Sequence, residues 1–201
     1  MATTAQHTPP TKARLLDAAE RLMLAKGFVA TTVDEICEAA KLTKGSFFHY
    51  FETKEQLGKE LLERFCQSAR DRMRAAAVDD DPLARVYAQI DGAIKMSREC
   101  ADQSCLLGTF AQELSDTHPD IRSLCADAFG QWADALRKDL DAAKARHAPK
   151  SSIDSKGLAD HFIAILEGSK ILAKAKRDPA IVERSLKHFK QYLMSLFGTK
   201  R

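Results

Sequence analysis

No stretch of this chain is long and apolar enough to cross a membrane. The longest run without a charged residue is Met1–Thr11, which is polar and holds two prolines, whereas a spanning helix needs roughly 18–20 apolar residues. The same stretch lacks the apolar centre of a signal peptide, so the chain is expected to stay in the cytoplasm. Cysteine is sparse and shows no pairing pattern. Cys37, Cys66, Cys100, Cys105 and Cys125 are odd in number, widely spaced and free of any C-x-x-C, which speaks against a disulfide framework or a zinc knuckle. Strong charge of one sign is missing too: 31 Lys and Arg against 28 Asp and Glu leave +3. With 45% hydrophobic residues in 201, that balance excludes a chain that is mainly disordered. Absent as well are G-x-S-x-G, a P-loop, H-E-x-x-H and G-x-G-x-x-G, and His118, His147, His161 and His188 fall without metal-ligand spacing. No enzyme, cofactor or metal site is expected.

What is present is helical periodicity. No segment shows sustained period-two alternation, so no strand is expected, and the chain reads as all-α with about nine helices. Lys12–Lys26 places Leu15, Leu16, Ala19, Leu22 and Met23 at helical spacing, and Gly27 stops it. Thr53 precedes a long amphipathic run with Leu57, Leu61, Leu62, Phe65 and Ala69, which ends near Asp79–Pro82. Leu83, Val86, Ile90 and Ile94 mark the next helix. Leu106–Leu114 is a shorter one, Ile121 to Leu136 lie on a long one, and Lys156–Arg177 and Pro179–Phe197 close the chain.

The informative text is Thr31–Lys54, TTVDEICEAAKLTKGSFFHYFETK. Thr32-Val-Asp-Glu35 fits a capping box that opens a short helix with Val33, Ile36 and Ala40 inward. Lys41-Leu42-Thr43 breaks it, Thr43 caps a second short helix, Lys44–Tyr50, and Thr53-Lys-Glu-Gln56 forms another capping box. Two short helices across a tight turn, packed on a third, make a helix-turn-helix. Gly45 and Ser46 leave little side chain, so that the backbone of the second helix can approach a major groove closely. Thr43, Lys44 and Ser46 stand where base edges and phosphates lie when such a helix enters by its amino end. His49 and Tyr50 can donate to phosphate oxygens, and Lys54 sits in a helix first turn that favours an anion. Thr31 and Thr32, at the mouth of the first short helix, and Phe48 complete the expected DNA-facing set, with Phe47 and Phe51 as core. Residues 11–64 hold nine basic and nine acidic side chains. Phosphate binding should therefore be modest per protomer and depend on pairing.

The run G-F-x-x-T-T-V-x-E-I-x-x-A-A-x-L-T-K-G-S-F-F-H-Y-F-x-T-K resembles the signature of the tetracycline-repressor (TetR) family of bacterial transcription regulators, over about residues 12–60. The resemblance implies a DNA-binding domain at 12–57, a helical regulatory and dimerisation domain at 58–199, a double-stranded operator as partner and a homodimer. Two positions depart from the family pattern. Phe48 stands where a tyrosine is common, which removes a phosphate donor. Lys41 stands where the turn usually has glycine, at a cost of about 1 kcal/mol if that residue is left-handed.

In the carboxy-terminal two-thirds, Val182, Leu186, Phe189, Leu193 and Leu196 are spaced 4-3-4-3, the seam of a helix pairing along its length. The preceding helix is apolar on more than one side, with Phe162 and Leu166 among its large residues. A second copy is the economical partner, and the family resemblance implies the same helix pair. Large side chains on helices around the regulatory core, Tyr87, Met96, Phe110, Trp132 and Phe162, are candidate pocket residues for a small-molecule inducer.

Cys105 begins Cys105-Leu-Leu-Gly108 just before a helix, where free N–H groups are expected to lower a thiol pKa. Lys170 and Lys174 lie on the penultimate helix and can reach inward. The run K-G-S-F-F-H-Y-F, this cysteine and G-S-K-I-L-A-K together look like the electrophile-sensing repressors of the family, those controlling N-ethylmaleimide reductase. That likeness implies regulation by modification of Cys105; from the residues themselves, Lys174 is the sensor's candidate neighbour, and Cys100 or Cys125 are lesser candidates for oxidation. The bland alternative is a small buried hydrophobe. Two other readings compete: a helical adaptor that uses the amino-terminal module for protein contact, and a small helical enzyme. Salt separates the first from a DNA binder, because operator affinity falls steeply through counterion release.

Overall fold

Local signals place the helix ends, and two separate apolar cores then gather the helices. The computed structural model describes residues 9–76, 79–99 and 104–198, so Cys100 lies outside the described residues. Among these, α1 spans Pro10–Lys26, α2 Val33–Ala40, α3 Lys44–Tyr50, α4 Lys54–Ala76, α5 Pro82–Glu99, α6 Leu106–Leu114, α7 Pro119–His147, α8 Ser155–Lys176 and α9 Ala180–Leu196. No strand occurs among them. Pro10, at the first position of α1, needs no N–H there. Gly27 follows α1 at φ +91°, a conformation other residues avoid, and a Cβ there would run into the Glu113 carboxylate.

The capping box at α2 forms as expected: the Thr32 hydroxyl accepts from the Glu35 N–H and the Glu35 carboxylate accepts from the Thr32 N–H. Lys41 closes α2 in the left-handed region at φ 52°, ψ 49°. Thr43 caps α3 through the Ser46 N–H. The box at α4 forms only in half. Thr53 accepts from the Gln56 N–H, but the Gln56 side chain reaches past it to the Glu52 N–H at 2.6 Å.

The first core joins α1 to α4 with α6 and the start of α7, around Leu15, Phe47, Phe51, Leu57, Leu61 and Phe110. The rings of Phe28 and Phe110 meet edge to face at 5.3 Å. Packing thus seats α6 against α7, α1 and α4, and its first turn also meets Glu167 of α8. The second core joins α5, α7, α8 and α9 around Ile90, Leu136, Leu140, Phe162, Leu186 and Phe189.

Two expectations change here. Phe162, Leu166, Val182, Leu186, Phe189 and Leu193, expected at the dimer seam, are all 5% exposed or less inside their own protomer, and Leu196 packs half-buried beside them. The 4-3-4-3 spacing marks a face that needs an apolar partner; helices α5 and α8 supply it. Nor do the pocket residues converge. Phe110 is sealed in the first core, Trp132 and Phe162 pack ring to ring at 6.0 Å in the second, Tyr87 lies half-buried under the Lys190 ammonium, and Met96 is exposed.

Candidate nucleic-acid interface

The amino end of α3 projects from the fold because its other face is anchored. Phe47 and Phe51 are fully buried, and Phe47 holds the 56%-exposed Phe48 edge to face at 5.3 Å. Thr43, Lys44, Gly45 and His49 are exposed, and Ser46 and Tyr50 are partly so. Thr43 Oγ1 lies 3.1 Å from Ser46 Oγ, so the cap also presents two hydroxyls side by side. A Cβ at Gly45 would meet only the Thr43 hydroxyl, so nothing of the chain stands between that backbone and an incoming groove. The His49 ring meets Tyr50 edge to face at 4.7 Å.

Lys44 is not a free cation. Its ammonium pairs with Asp34 at 2.7 Å, and that hydrogen bond raises the Lys44 pKa. Both groups are well exposed, so the pair is weak in water and a phosphate can replace the carboxylate. Asp34 is a functional neighbour that spacing alone did not reveal.

Three members of the expected DNA-facing set do other work. Thr31 is fully buried and donates its hydroxyl to the Gly27 carbonyl at 2.7 Å. The Thr32 hydroxyl is committed to the cap, and donates to Glu35 at 2.9 Å. Lys54 turns inward: its Nζ donates to the carbonyls of Phe28 at 2.9 Å and Thr31 at 2.8 Å, and sits 4.3 Å from the centre of the Phe28 ring. Burial lowers its pKa. A lysine in a helix first turn reads as an anion site from sequence, but here two nearby carbonyls hold the charge. Arg14, unremarked in the sequence, donates to the Ala40 carbonyl at 2.5 Å and steadies the end of α2.

A second constellation lies at the other end of α6. Cys105, just before that helix, and Thr109 and Glu113 on it line a recess of about 370 Å³ with Glu167, Lys170 and Lys174 of α8, and Lys26, at the end of α1, and Gly27 after it line it as well. Glu113 accepts from the Val29 N–H at 2.8 Å, so α6 is tied directly to the α1–α2 junction. Cys105 is 6% exposed, and burial, with the Glu167 charge beside it, pushes its thiol pKa up to about 12. This reverses the expected acidification. The α6 amino end faces the interior, where desolvation of a thiolate outweighs the pull of the helix N–H groups. Glu167, which the sequence did not point to, stands beside the thiol in that recess, and its own pKa is raised by burial.

The family model of the bacterial regulatory proteins, tetR family, matches residues 15–61, and that of the tetracyclin repressor-like C-terminal domain matches residues 82–189, more than half of the chain. The chain belongs to the TetR family. This TetR-family protein is 30% identical to the transcriptional regulator AcuR of Cereibacter sphaeroides, over 77% of the chain and 72% of AcuR. It is 25% identical to the HTH-type transcriptional repressor NemR of Escherichia coli K12, over 91% of the chain and 94% of NemR. The crystal structure of regulatory protein TetR from Rhodobacter sphaeroides superposes with a TM-score of 0.82 at 27% identity, covering 92% of this chain and 99% of that one.

The geometry fits a DNA-binding transcriptional regulator with its reading helix exposed. Among the described residues, no helix of this TetR-family chain is long and apolar enough to cross a membrane. Glu113 and the Val29 N–H join the recess lining directly to the segment that leads into α2.

Proposed function

We propose that two copies of this chain repress transcription in the cytoplasm by seating α3 in successive major grooves of a palindromic operator. Attack of a small electrophile on Cys105 releases them. In this reading, residues 12–57 form the DNA-binding domain and residues 58–199 the regulatory and dimerising one. Thr43, Lys44, Gly45 and Ser46 meet bases and phosphates, while His49 and Tyr50 fix register on the backbone. The partner copy covers the outer faces of α8 and α9, where Ile171 and Leu172 and Tyr192 are about half exposed.

The observation that carries the release step is α6 itself. One helix holds Cys105 at its start and, through Glu113, the Val29 N–H at the entrance to the helix-turn-helix. An adduct that displaces the start of α6 moves that tie. Decisive release needs roughly a hundredfold preference of the modified form for the DNA-free spacing. The similarity to NemR, named as a transcriptional repressor, supports the repressor reading.

Selection of an operator from a random DNA library tests this, followed by binding titrations with and without N-ethylmaleimide. The expected result is a palindromic site bound by two protomers, steep salt dependence, and release that disappears in Cys105→Ser. A salt-independent interaction supports a protein adaptor instead. Release of Cys105→Ser as readily as the parent overturns the sensing role.

A further inference from the structure

The Cys105 thiol is poorly suited to react unaided, since it is 6% exposed and burial beside the Glu167 charge disfavours its thiolate. A nucleophile in that position needs a base within reach. The recess contains one. The Glu167 carboxylate lines the same recess beside the thiol, and its Oε1 is buried and finds no hydrogen-bond partner among the described residues. The Lys170 ammonium stands 3.9 Å from that oxygen, too far to hydrogen-bond it but near enough to offset its charge. Gly108 packs against the same carboxylate so closely that a Cβ there would collide with it, and that Cβ would stand 3.6 Å from the Cβ of Cys105. Proton donor and acceptor are thus assembled at the start of α6.

We infer that Glu167 is the general base for modification of Cys105 by electrophilic alkenes conjugated to a carbonyl. The inference rests on the reading of Cys105 as the sensor. As the sulfur pair forms the S–C bond, the S–H proton passes to the Glu167 carboxylate. The alkene π pair moves to the neighbouring carbon as an enolate, and that carbon takes a proton back, which regenerates the carboxylate. The sum is addition of S–H across C=C, with no oxidant or reductant.

Two physical roles for Glu167 predict opposite signs. As a fixed negative charge it raises the thiol pKa, so neutralising it speeds the reaction. As the base it accelerates the reaction, so removing it slows the step. The measurement is the rate of N-ethylmaleimide labelling of the Cys105 peptide, followed by mass spectrometry on the full-length native chain. Glu167→Gln should lower the rate at pH 7 at least tenfold, with Glu167→Asp restoring part of it. The charged groups around the thiol are Glu113 on α6, Glu167, Lys170 and Lys174 on α8, and Lys26 on α1. In the parent, the rate should fall as pH drops through the raised Glu167 pKa and level off above it. In Glu167→Gln it should climb tenfold per pH unit from 7 to 9. An equal or faster rate in Glu167→Gln overturns the assignment. If that variant does not fold, a tenfold-per-unit slope in the parent from pH 5 to 9 overturns it as well. Because labelling is read at Cys105 itself, this result stands apart from whether Cys105→Ser still leaves DNA.

Discussion

Replacing Lys54 with methionine separates a structural strut from a phosphate ligand. Methionine keeps most of the stem and removes the ammonium, which here donates to the Phe28 and Thr31 carbonyls at 2.9 and 2.8 Å and covers the Phe28 ring. Hydrogen bonds from a charged donor contribute about 1.5–3 kcal/mol each, and an exposed cation–π contact about 0.5–1 kcal/mol. Lys54 is partly open to water, which takes over some of the carbonyl hydration, so the low end applies: about 3 kcal/mol. For a chain of this size that lowers Tm by roughly 6–12 °C. Thermal unfolding measures the loss, and operator titrations from low to high salt measure the phosphate contacts. The strut predicts a large fall in Tm and an unchanged salt slope among folded molecules. A Tm within about 1 °C of the parent, with a salt slope smaller by about 0.9, means that Lys54 neutralises a phosphate and refutes the reasoning.

Lys41→Gly relieves the left-handed residue that ends α2, at φ 52°, and should stabilise the chain by about 0.5–1 kcal/mol; a lower melting temperature than the parent contradicts the strain. Glu35 is held down to about pKa 2, first by the hydrogen bond from Lys26 and then by those from Thr32. Because its folded pKa lies below the ordinary value of 4.5, its stabilisation is complete above that pH and disappears as pH falls through 2. The Tm gap between Glu35→Gln and the parent should therefore be open at pH 7 and close by pH 2. A gap that is the same at both ends removes the carboxylate as its source.

The helix-turn-helix was legible because its signals are local. A threonine three residues before a glutamate, a break at Lys41–Thr43 and a capped seven-residue helix act over one or two turns, and the structure reproduces them. The left-handed Lys41 was legible for the same reason: it stands where the family turn has a glycine. Cys105 at the head of α6 was legible as a position but not as a chemical state. Its thiol pKa depends on burial and on Glu167, which comes from a helix more than sixty residues away.

Helical spacing alone told the chain which faces must be covered; it did not tell what covers them. The period along α9 was the same whether a second copy or α5 and α8 filled it, and only packing chose the latter for Val182, Leu186 and Phe189. The same division holds for charge. Sequence put Lys54 at a helix start, but the fold brought the Phe28 and Thr31 carbonyls to its ammonium and left Lys44 outside with Asp34. Periodicity and capping are written in neighbours a few residues apart. Desolvation and long-range pairing exist only once distant segments have excluded water together, and that is why the reading helix could be read from the chain and the setting of its sensor could not.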